Sequence, residues 1–235
     1  MYEANNQKAT LIALNYNFAS GLEFSNKLEE KEILNKYHLK LKELQLAGQL
    51  PPKEVLAGLR ALFPYVYSSE DTTIQIVYTQ NEFKLSIEKN NINKDNFQTY
   101  KDLSNDIIDL KLSDISAMGM NYSAEFNLGD NRLDILNEKV TGIKDFDKNL
   151  TIDFKIPISY PERNLIASYR LRKIKGGDKT QEPHIYEVSV NFHFDLKLLS
   201  TGEKGKRLEN ILSYDLYEEF FNKCQEFLKL NNGNK

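Results

Sequence analysis

The strongest local charge asymmetry in the chain runs from Arg163 to Lys179. It holds Arg163, Arg170, Arg172, Lys173, Lys175 and Lys179 against a single acid, Asp178. Period-two alternation puts Arg170 and Arg172 on one strand face beside Ser168, with Tyr169 and Leu171 on the other. Two guanidiniums on a sheet face can hold a phosphate or carboxylate by forked hydrogen bonds. Lysines beside the Gly176-Gly177-Asp178 turn can add phosphate contacts. That chemistry is nucleic-acid or anion binding. The plainer reading is a solvated face whose cations pair with Glu187 and Asp195 on the next strand.

The next strand carries a second set. Glu187, Ser189, Asn191, His193 and Asp195 alternate with Tyr186, Val188, Val190, Phe192 and Phe194, so the polar set shares one face. His193 and Asp195 can lean toward one ligand, but a metal wants three or more such groups. His38 and His184 stand at no spacing that joins them to His193. A His–Asp pair in catalysis needs a nucleophile, such as Ser189, and an oxyanion hole. No Gly-x-Ser-x-Gly elbow supplies these. The plainer reading is a wet sheet face of mixed polar residues. A third reading is a metal-dependent phosphodiesterase or nuclease core, with Asp153 and Lys155 on one strand and Asp134, Asp145 or Asp147 upstream. Pro157 argues against a buried central strand there and for an edge.

No phosphate-cradling glycine loop occurs. The run Gly202-Glu203-Lys204-Gly205-Lys206 lacks its spacing and fits the loop and first turn of a helix. No cofactor and no metal are expected. The lone Cys224 stands among Phe220, Phe221, Phe227 and Leu228, as a small buried hydrophobe does, rather than as a nucleophile. Met118 and Met120 belong to an apolar stripe.

These residues must be carried by elements that the periodicity marks. Strands are expected at 10–18, 73–79, 83–88, 115–128, 150–159, 164–175 and 184–197. The long alternation from Met118 to Leu128 predicts one buried and one wet face, with Gly119 as a bulge or a close backbone approach. Helical spacing appears over 22–47, 52–62 and 95–110, briefly over 131–138, and in a long final amphipathic stretch with a break near Ser213. Short links between strands favour antiparallel pairing. The fold is therefore read as α+β: an antiparallel sheet of about seven strands with helices on one face and a long C-terminal amphipathic helix. Residues 1–235 are read as one domain, with a two-lobe division near 139–148 as the alternative. No internal repeat is evident. From Ile115 onward, strands followed by a terminal helix resemble the SecB-type export chaperones in element order alone, over about half the chain. No residue is carried over from that likeness.

Composition bounds the function. The chain has 235 residues, 40% of them hydrophobic, which is enough for a core. Its 31 basic and 34 acidic residues nearly cancel, which excludes a generally basic nucleic-acid binder. One cysteine, no leader pattern and no membrane-length apolar run point to the cytoplasm. The expectation is a non-enzymatic protein that binds a protein partner or itself through sheet and helix surfaces, away from membranes. Nucleic-acid or anion binding at 163–179 is the alternative.

Overall fold

Alternation of apolar and polar side chains dictates most of the architecture. In Ile74–Thr79 (β4) and Glu82–Lys89 (β5), Ile74, Ile76, Tyr78, Phe83, Leu85 and Ile87 are buried on one side of the hairpin. Ala4–Leu14 (β1) and Ala117–Asn127 (β6) pair antiparallel along eleven-residue strands, burying Ala9, Leu11 and Ala13 against Met118, Met120, Tyr122, Ala124 and Phe126. The computed structural model describes residues 4–42, 64–79, 82–127, 154–160, 165–175 and 185–229. The remaining strands are Leu39–Leu41 (β2), Tyr65–Ser69 (β3), Phe154–Tyr160 (β7), Leu165–Lys175 (β8) and Ile185–Asp195 (β9).

All nine strands join one sheet in the order β2-β3-β4-β5-β1-β6-β9-β8-β7. Every neighbouring pair is antiparallel. The helices are Gly21–Glu30 (α1), Ile33–Lys36 (α2), Lys94–Ile108 (α3), Thr201–Ile211 (α4) and Tyr214–Lys229 (α5). All of them pack on the apolar face. Phe24 of α1 stacks on Tyr78 with ring centroids 4.2 Å apart. Tyr100 of α3 donates its hydroxyl to the Leu85 carbonyl at 3.1 Å. Tyr122 donates to the Ile211 carbonyl of α4 at 2.8 Å, and its ring meets Tyr217 and Phe220 of α5. The fold is therefore α+β, with an antiparallel sheet, helices on one face and a C-terminal amphipathic helix.

Two strands exceed the expected count. Of the helical spacing over 22–47, the described part to residue 42 resolves instead into α1, α2 and β2. The chain takes left-handed conformations at Glu32 (φ 55°) and His38 (φ 52°), and neither residue can occupy that region inside a helix. Leu39 then pairs with Ser69 across β2 and β3. Gly21 opens α1 where a Cβ would lie 2.1 Å from the Tyr65 ring, so only glycine admits that approach. Gly119, by contrast, sits in regular register, and a Cβ there would meet the Phe192 carbonyl at an ordinary 3.5 Å. The expected helices at 52–62 and 131–138, and the two-lobe division near 139–148, lie outside the described residues.

The connectivity contains a repeat that the sequence conceals. After β1 the chain leaves, runs β2 to β5 as a meander back to β1, and finishes in α3. After β6 it runs β7 to β9 back to β6 and finishes in α4 and α5. The two circuits meet antiparallel at the β1–β6 pair. Pro157 lies on β7, the last strand of the sheet, where a residue without an N–H is tolerated.

Candidate binding site on the open face of the sheet

The second face of the sheet carries none of the described helices, and register places its side chains in transverse rows. One row runs Asn191, Asn121, Thr10, Ser86, Gln75 and Ser68 across β9, β6, β1, β5, β4 and β3. Every member is small or neutral and capable of hydrogen bonding. On one side of it stands a row of Arg170, Ser189, Ser123, Lys8 and Glu88. On the other stands His193, Gly119, Ile12, Lys84 and Val77. The long side chains Lys8, Glu88, Lys84 and Arg170 stand toward the ends of these rows, while Ser123, Ser189 and Gly119 keep the rows low over β6 and β9.

The hollow is a shallow depression of about 540 Å³ around the β6–β9 pair. Asn121, Ser123, Ser189 and Asn191 line its floor; Lys8, Ile12 and Lys84 stand on one side, Arg170 and Glu187 on the other. Asn191 donates its amide N–H to the Asn121 side-chain carbonyl. Lys8 and Asn6 both reach Glu88, each at 2.8 Å. The Lys8 hydrogen bond, then that of Asn6, holds the Glu88 carboxyl below the usual glutamate range. Aromatic rings stay on the covered side: Tyr122, Tyr169, Tyr186 and Phe192 are all buried there.

The sequence candidates divide accordingly. Arg170, Glu187, Ser189 and Asn191 come together at the depression. Arg172 lies opposite Glu187 in register, while Lys173 lies opposite Tyr186 and the ladder shifts before Lys175. Arg163 and Lys179 lie outside the described residues, as do Asp153, Asp134, Asp145 and Asp147. Lys155 stands opposite Arg170 on β7. His193 and Asp195 are both exposed. The Asp195 carboxylate accepts the Lys197 N–H at 3.0 Å, so it closes the turn after β9. Ser189 is four residues from His193 along an extended strand, roughly 13 Å, too far for proton transfer. Among the described residues no three His, Cys, Asp or Glu side chains gather as a metal would need. Cys224 is buried, and burial pushes its thiol well above its ordinary pKa, so it does not offer a thiolate.

Sequence reading missed the half of the depression that comes from β1, β5 and β6: Lys8, Thr10, Lys84, Asn121 and Ser123. The alternation in each strand marks which residues share a face, but only the strand order brings those faces side by side. A smaller hollow of about 320 Å³ lies among Tyr37, His38, Asp71, Lys89, Asn96 and Thr99. Its two acids are already engaged: Asp71 accepts from the Ser69 hydroxyl at 2.5 Å and the Thr73 hydroxyl at 2.8 Å, and Glu70 accepts from the Lys40 ammonium at 2.7 Å.

The chain matches no protein-family model and no curated protein. Among the described residues no helix is long and apolar enough to cross a membrane.

Proposed function

We propose that the protein works by binding, and that its partner is another protein laid across the open face of the sheet. The observation that carries this reading is the division between the two faces. The apolar face carries all five described helices, and the other carries none of them and presents, among the described residues, a broad hydrogen-bonding surface with a depression at its centre. Neutral amides and hydroxyls flanked by charges suit a partner's polar surface. Sheet edges serve less well. β2 is three residues long, and β7 carries Pro157, which cannot donate to an added strand.

The test is capture from the native cell with the full chain and with Asn121→Arg/Ser123→Arg, which fills the depression and leaves the covered face untouched. The expected result is a specific protein, or a second copy of the chain, held by the wild type and lost by the variant. A monomer whose captured proteins are the same for both chains would overturn the proposal. A second reading, nucleic-acid binding, draws on Arg170, which lines the depression, and on Arg172, which lies opposite Glu187 in register. It requires salt-sensitive binding of an oligonucleotide that both arginines support.

A further inference from the structure

We infer that the central depression seats an extended acidic segment of the partner, an inference that rests on the partner-binding reading above. Three cations and one acid line it: Lys8, Lys84 and Arg170 against Glu187. The flanking strands β1 and β8 are three strand spacings apart, roughly 14 Å. That width admits one extended chain running along β6 and β9, with its side chains reaching both sides. Successive side chains of an extended chain point to opposite sides, so carboxylates at neighbouring positions would meet Lys8 and Lys84 on one side and the fork of Arg170 on the other. Lys8 already has Glu88 at 2.8 Å, whereas Lys84 forms no ion pair among the described residues.

The floor is equipped for a peptide backbone. Asn121 and Asn191 offer amide donors and acceptors beyond the bond they share. Thr10, only 6% exposed, lines the depression, and its hydroxyl has no hydrogen-bond partner among the described residues. Ser123 and Ser189, both half-buried, add two further hydroxyls. Apart from the imidazole of His193, the described strand side chains put no aromatic ring on this face, and single-stranded nucleic acid binding relies on such stacking platforms. Charge and floor together therefore favour an acidic peptide over a nucleic acid.

The experiment uses the full chain and a fluorescent peptide of Glu-Glu-Thr repeats, which carries carboxylates on both sides when extended, read by anisotropy. Binding is expected, falling as salt rises. The double reversal Lys84→Glu/Arg170→Glu should weaken it by at least about tenfold, and Thr10→Val by about threefold to tenfold. Lys27→Glu, on α1 at the covered face, should leave it unchanged, and circular dichroism confirms that each variant is folded. Absence of binding, equal weakening by Lys27→Glu, or tighter binding of a labelled single-stranded RNA than of the peptide would each overturn the inference. If Asn121→Arg/Ser123→Arg loses a captured partner yet the wild type ignores the acidic peptide, the inference falls and the partner-binding proposal stands. If capture does not depend on the face and the peptide does not bind, both fall.

Discussion

Lys204 is the least expected residue of the described core. The run Gly202–Lys206, read as the loop and first turn of a helix, lies wholly within α4, whose start is capped by Ser200 and Glu203 in a reciprocal pair. Lys204 is buried, and its ammonium donates to the carbonyls of Ser113 at 2.8 Å and Ile115 at 2.6 Å. It thereby ties α4 to the segment joining α3 to β6. Ammonium-to-carbonyl bonds of this kind are charge-assisted, and deleting the donor strands two carbonyls. Lys204→Ala should lower stability by about 2–3 kcal/mol, read as a shift of the urea midpoint. Nothing in the local pattern announces this role, because the carbonyls it serves stand some ninety residues upstream. Cys224, Met118 and Met120 are the opposite case. Apolar neighbours at the right spacing marked them as core, and all three are fully buried.

At the scale of elements, the hairpin turn between β3 and β4 is organised by one carboxylate. Asp71 accepts from the Ser69 hydroxyl and from the N–H and hydroxyl of Thr73, and Thr72 takes a left-handed conformation (φ 57°) to close the turn. The Ser69 hydrogen bond, followed by those of Thr73, holds the Asp71 carboxyl below its ordinary range. A carboxylate with a folded pKa below its unfolded one contributes fully above the unfolded value, and the contribution disappears as pH falls through the folded value. The stability gap between wild type and Asp71→Asn should therefore be widest near neutral pH and close toward about pH 3, as urea midpoints across that range will show. Elements with a long private pattern were legible: the β4–β5 hairpin, α3, β6, β9 and the α4–α5 break at Leu212 and Ser213. β2 was not, because three residues carry no period and only the pairing with β3 defines them. The candidate site was half legible for the same reason. β8 and β9 follow each other in the chain, whereas β1 and β5 reach the depression only through the sheet order.

For the molecule as a whole, the two circuits of strands are joined through Tyr122. It sits on β6 at the seam with β1, contacts Phe97 of α3, Tyr217 and Phe220 of α5, and bonds the last carbonyl of α4. Tyr217 in turn donates to Gln7 of β1, which accepts the Ile92 N–H ahead of α3 at 2.8 Å. Loss of this ring should be felt by both circuits at once. Tyr122→Phe should cost about 1–2 kcal/mol, the worth of a buried hydrogen bond. Tyr122→Ala should cost about 3–5 kcal/mol, with one unfolding transition retained if the sheet unfolds as a unit. The segregation of rings also divides the molecule optically. With 13 tyrosines and no tryptophan, its ultraviolet emission comes from tyrosine alone. On the described strands, those tyrosines lie on the helix-covered side or at its margin. Native emission is thus a gauge of core integrity that remains dark to events on the other face. A single tryptophan placed on that face would report occupancy in its own spectral window, with the protein's own tyrosines as the internal standard for folding.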